Sequence, residues 1–123
     1  SALHEVAHWC VAGVRRRRLP DYGYWYSPDG RDVDQQQAFF AVEARPQAIE
    51  RCFCEAIGIP FFPSVDNVDA QIAPQQLRRF EARIQECCEQ FERTGLPHRA
   101  ARFVTALRYM SRLSREPASD IAA

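Results

Sequence analysis

Prolines and glycines cut this chain into segments that suit helices and little else. Pro20, Pro46, Gly58, Pro60, Pro63, Pro74, Gly95 and Pro97 supply the breaks. Proline removes a backbone donor and clashes with the preceding turn, while glycine closes helices with a left-handed residue. Between the breaks, apolar residues recur three and four apart, the period of an amphipathic helix. The first stretch, 2–18, carries Leu3, Val6, Ala7, Cys10, Val11 and Val14 on one face. Arg15 to Arg18 fill its last turn, where cations suit the negative end of the helix dipole, and Pro20 stops it. The second, 33–57, holds Pro46, which predicts a kink or a break into two helices near Arg45, with Gly58 as C-cap. Residues 59–67 read as extended or loop, because Pro60 and Pro63 bar a regular central strand. The third helix, 74–94, has Leu77, Phe80, Ile84, Cys87, Cys88 and Phe91 as its stripe and ends at Gly95. Pro97 opens the fourth, striped by Ala100, Phe103, Val104, Leu107, Met110 and Leu113. The expectation is a mainly α fold of about four helices with irregular connections. It forms a single domain over 1–115, followed by a flexible tail at 116–123.

A chain of 123 residues fits one domain with a modest core. Sixteen basic residues balance 16 acidic ones, so no global field draws in nucleic acid or an anionic membrane. The five cysteines, Cys10, Cys52, Cys54, Cys87 and Cys88, are odd in number, and Cys52-x-Cys54 lacks the two-residue spacing of zinc and thioredoxin motifs. They read as reduced thiols of a cytoplasmic protein. No signal peptide or membrane-spanning run is visible. The chain enters its motif helix directly after Ser1-Ala2-Leu3, which reads as a fragment truncated at its N-terminus.

That motif is His4-Glu5-Val6-Ala7-His8. Residues four apart share a helix face, with Cβ atoms about 5–6 Å apart, so both imidazoles can reach one metal at about 2.0–2.1 Å. Glu5 stands about 100° round the helix, within reach of a metal-bound water as a base or proton carrier. The bland alternative is a solvated helix face. A third ligand is required, and Asp29, Asp32, Glu43, Asp66 and His98 are the candidates. Glu43 stands out, because a carboxylate beside Val42, Ala44 and the apolar Phe39 and Phe40 carries a desolvation cost that a metal would offset. Pairing of Glu43 with Arg45 or Arg51 is the competing account. Two histidines and a carboxylate suit non-haem Fe(II) and catalytic Zn(II) alike, and residue identity does not choose between them.

The wider sequence resembles the elongation factor P hydroxylase family of bacteria. The likeness is carried by His-Glu-Val-Ala-His-Trp-Cys-Val-Ala-Gly at 4–13 and Asp-Tyr-Gly-Tyr-Trp-Tyr-Ser-Pro-Asp-Gly-Arg at 21–31. It continues in Val-Glu-Ala-Arg-Pro-Gln-Ala at 42–48, Ser-Val-Asp-Asn at 64–67 and Arg-Ala-Ala-Arg-Phe at 99–103. The resemblance implies a cytoplasmic, metal-dependent monooxygenase that hydroxylates the β-lysylated lysine of elongation factor P. It implies that His4, His8 and Glu43 hold the metal, Fe(II) by preference and Zn(II) or another divalent ion otherwise, with molecular oxygen as co-substrate. It also implies an intact family fold of α+β type around a metalloprotease-like metal helix, and an upstream segment not present here.

Tyr24, Trp25, Tyr26, Asp29 and Asp66 are the substrate-binding candidates. Aromatic faces attract an ammonium by about 0.5–2 kcal/mol, and the two carboxylates can pair with the amines of a β-lysyl-lysine. Packing over a small core is the plainer role for the aromatics. Arg99 and Arg102 read as ion-pair partners or as contacts to the substrate backbone. The expected partner is elongation factor P, met by a monomer, with no direct nucleic acid and no membrane. The rivals are a zinc hydrolase with Glu5 as base and a non-catalytic helical interaction module.

Overall fold

The computed structural model describes residues 2–12, 33–64 and 73–115. Its elements are α1 (Ala2–Val11), α2 (Val33–Ile57), α3 (Pro74–Thr94) and α4 (His98–Arg115), with no strand among the described residues. The mainly helical expectation holds. Tyr22, Tyr24, Trp25, Tyr26, Asp29, Asp32, Asp66 and the tail 116–123 lie outside the described residues.

The fold is organised around α2. Its 25 residues reach about 37 Å at 1.5 Å per residue, long enough for α1, α3 and α4 each to pack on it. Phe39, Phe40, Ala44, Ala48, Ile49 and Phe53 are all buried, so α2 is apolar on more than one side. Of the kink or break expected near Pro46, the break does not occur, and α2 runs through it as one helix. An interior proline costs about 3 kcal/mol, and here its ring is fully buried in the packing that offsets this loss. Gly58 ends α2 as expected. With φ of 74° it donates to the Glu55 carbonyl at 3.3 Å, and Ile59 N–H reaches back to the Cys54 carbonyl at 3.0 Å. That bond pair is the Schellman closure, which needs a left-handed residue.

Pro74 opens α3, and the Ala73 carbonyl accepts from Gln76 and Leu77. Phe80, Ile84, Cys87, Cys88 and Phe91 form its buried stripe, and the Phe80 ring stacks on Phe40 with centroids 4.3 Å apart. On α4, Ala100 and Val104 are buried, and Phe103 meets Phe53 edge-on at 4.8 Å. The expected α4 stripe runs on to Leu107, partly buried against the core, and ends there: Met110 and Leu113 are 65% and 51% exposed. All five cysteines are free thiols.

The α1 helix ends at Val11 with Ala12 in a bend, and residues 13–18 of the expected first stretch lie outside the described residues. Arg99 sits on that end. Its Nη2 donates to the carbonyls of Trp9, Cys10 and Ala12 at 3.4, 3.3 and 3.0 Å, and its guanidinium lies 4.7 Å from the centre of the Trp9 ring. A cation is thus set on the exposed carbonyls at the negative end of α1. Arg99 thus caps α1, a role not expected of it.

Candidate metal centre

The packing of α1 on α2 decides what the site contains. Four-residue spacing puts His4 and His8 on the face of α1 that meets α2, their ring centroids 4.7 Å apart and inclined at 69°. On α2 the facing row is Glu43, Gln47 and Glu50, polar residues spaced four and three apart and so on one side of the helix. Glu43 lies between the two imidazoles. Its Oε1 is 2.7 Å from His8 Nε2 and its Oε2 is 3.5 Å from His4 Nε2. His8 and Glu43 are 7% and 5% exposed, so this polar cluster sits in the core rather than on a solvated face.

Two more α2 side chains hold the cluster. Gln47, fully buried, donates through Nε2 to Glu43 Oε2 at 3.1 Å and to the Ser64 carbonyl at 2.7 Å. Its Oε1 accepts from the Ser64 amide at 3.0 Å. One amide therefore orients Glu43 and pins the chain after α2. Glu50 Oε1 lies 2.6 Å from His4 Nδ1.

Burial alone would raise the Glu43 carboxyl. The hydrogen bond and charge of His8, with the bond from Gln47 and the charge of His4, reverse that and hold it below the usual carboxylate range. The hydrogen bond to Glu50 raises His4 above the ordinary imidazole value against the opposing pull of burial, and Glu43 and Glu5 add to the rise. The site is thus an anionic pocket wrapped around two imidazoles, electrostatically suited to a cation.

The donor set fits a metal ion. One donor atom from each of His4, His8 and Glu43 lies within 4.8 Å of the others. Donors about 2.0–2.2 Å from a common ion lie at most about 4.4 Å apart, so side-chain adjustments of under an ångström would close the set. Two imidazoles and one carboxylate leave further coordination positions open.

The structure brings together three of the residues singled out in the sequence, His4, His8 and Glu43. Glu5 is exposed on α1 and stands outside the three-donor group. His98 is exposed at the start of α4 and is not among the donors. Tyr24, Trp25, Tyr26, Asp29 and Asp66 lie outside the described residues. Gln47 and Glu50 were not anticipated. The available signal was their spacing from Glu43, which repeats its position at one and two helical turns.

Among the described residues no helix is long and apolar enough to cross a membrane. No solved structure matches the chain. A protein of Haemophilus influenzae, Elongation factor P lysine hydroxylase, is 44% identical over 107 residues, covering 87% of this chain and 59% of that protein. The chain thus spans about three-fifths of the length of this curated relative. A family model described as elongation factor P hydroxylase matches residues 1–119, and with that extent of agreement the chain belongs to the elongation factor P hydroxylase family.

Proposed function

We propose that this chain forms the metal-binding domain of an enzyme that hydroxylates the β-lysylated lysine of elongation factor P. The observation that carries the reading is the convergence of His4, His8 and Glu43 in the core of a chain belonging to this family. His4 and His8 would hold the metal through ring nitrogens and Glu43 through a carboxylate oxygen. Fe(II) is the proposed ion, and when bound it supplies activation of molecular oxygen for insertion of one oxygen atom into a C–H bond.

The protein's own groups do the rest. Gln47 keeps Glu43 aimed at the imidazoles and ties it to Ser64, two residues before Asp66. Asp29 and Asp66 are proposed to pair with the two amines of the β-lysyl group, and Tyr24, Trp25 and Tyr26 to line its aliphatic path. The buried walls around His8 and Glu43 keep bulk water from the reacting carbon. Glu5, exposed beside His4, is the proposed group for carrying protons between the site and solvent. Such a substrate places the enzyme in the cytoplasm, acting as a monomer on a protein partner.

The test is mass spectrometry of β-lysylated elongation factor P after incubation with the protein, Fe(II), oxygen and a chemical reductant. The expected result is a gain of one oxygen atom on the modified lysine, lost with His8→Ala. Equal gain with His8→Ala, or none even when the domain is joined to the upstream segment that the family resemblance implies, rejects the proposal.

A further inference from the structure

One close contact in the site has no role in the chemistry above. Glu50 Oε1 stands 2.6 Å from His4 Nδ1, while Nε2 of the same ring faces Glu43 Oε2 across 3.5 Å. The two ends of this imidazole differ in kind. A carboxylate only accepts, so the short contact requires the proton on Nδ1. The longer distance exceeds a good N–H···O bond, which leaves Nε2 suited to present a lone pair to the Glu43 side.

We propose that Glu50 is a positioning residue that locks His4 in its Nδ1–H tautomer and aims Nε2 at the metal, a role that rests on the metal-centre reading above. Three observations support it. The side chains of His4 and Glu50 are only 17% and 14% exposed, so solvent competes weakly for the bond. Glu50 lies two turns along α2 from Glu43, so one rigid element carries both a ligand and the support of another ligand. Glu50 also contacts the ring on the edge away from Glu43 and is not in the three-donor group, which argues against its being a ligand itself. A carboxylate on the far nitrogen of a metal-binding imidazole fixes its rotation and makes it a stronger donor.

Zn(II) and Co(II) affinities of the unaltered protein, Glu50→Leu, Glu50→Gln and His8→Ala, measured by titration calorimetry, test the role without any turnover. Glu50→Leu should weaken binding by about 10–100-fold, and Glu50→Gln, whose amide oxygen still accepts from Nδ1–H, should recover most of that loss. The visible Co(II) spectrum of Glu50→Gln should match that of the unaltered protein. Affinity of Glu50→Leu within about twofold of the original, alongside loss of binding in His8→Ala, would overturn the role of Glu50 and leave the metal centre standing. Failure of the unaltered protein to bind either ion would overturn the metal centre itself, and the inference with it. Should Glu50→Leu not fold, the 15N shifts of His4 in the Zn(II)-loaded unaltered protein decide the matter. Protonated Nδ1 with metal on Nε2 upholds the proposal, and the reverse tautomer rejects it.

Discussion

Glu43 is the residue on which the site turns, since it touches both histidines and is itself buried. Removing it leaves two imidazoles with no anionic ligand between them. Glu43→Ala should therefore lower metal affinity by more than the roughly 10–100-fold typical of a lost supporting residue, as read by titration calorimetry. Gln47 carries a different load. Gln47→Leu keeps the volume but strips both Ser64 backbone groups and Glu43 Oε2 of their bonds to this amide. The expected loss is about 1–3 kcal/mol in urea unfolding, because polar atoms lose partners inside the fold. The difference between these residues also explains what was legible. His4 and His8 share a face by local helix geometry, so their pairing follows from spacing alone. Gln47 and Glu50 bond to groups 17 and 46 positions away, the first created by the return of the chain after α2 and the second by the docking of α1 on α2. Polar residues recurring at helical spacing within an otherwise apolar helix were the one trace they left.

Helix α1 is capped by a residue of α4. The Arg99 guanidinium gathers three carbonyls at the C-terminal end of α1 while lying over Trp9. Arg99→Ala should cost about 1.5–3 kcal/mol, the scale for hydrogen bonds to a charged group, and should weaken metal binding because α1 carries both histidines. Thermal unfolding and titration of the same variant check the two effects. Lysine at this position should restore little, since a compact ammonium does not reproduce a planar fork stacked on an indole. The closure was illegible in sequence because Arg99 is nearly ninety positions from the carbonyls it meets. The absence of a break at Pro46 was hidden for a related reason: local rules set the cost of an interior proline, but the burial that offsets it comes from tertiary packing. The gentler signals were legible. Gly58, Gly95 and Pro97 bound helices where their backbone preferences put them, and the α3 stripe is buried as its period demands. Burial also pushes the Cys10, Cys54 and Cys87 thiols up. Their alkylation by iodoacetamide near neutral pH should be more than about tenfold slower in the folded protein than in denaturant, as followed by peptide mass spectrometry.

At the scale of the whole molecule, two kinds of adhesion divide the fold. The α2, α3 and α4 helices meet through aromatic and aliphatic layers built on Phe40, Phe53, Phe80 and Phe103. The α1 helix contributes Ala7 and Cys10 to that core, with Leu3, Val6 and Val11 partly buried against it, and adds the polar contacts of His4 and His8 with Glu43 and Glu50. A metal shared by His4, His8 and Glu43 would thus fasten the seam that carries this buried polar cluster. Ligand binding to the folded state alone stabilises by RT ln(1 + [L]/Kd), about 2.7 kcal/mol at a hundredfold excess over Kd. For a domain of this size that corresponds to a rise in Tm of roughly 10 °C, reversed by a chelator. His8→Ala should show no such rise. Hydrogen exchange should locate the gain: α1 amides slow most on metal addition, while those of the α2–α3 core change least. Equal protection throughout would mean that α1 already unfolds only with the core, so that the ion adds a ligand set to a seam strong enough without it. Protection concentrated in α1 would mean that one ion serves both the proposed chemistry and the closure of the fold.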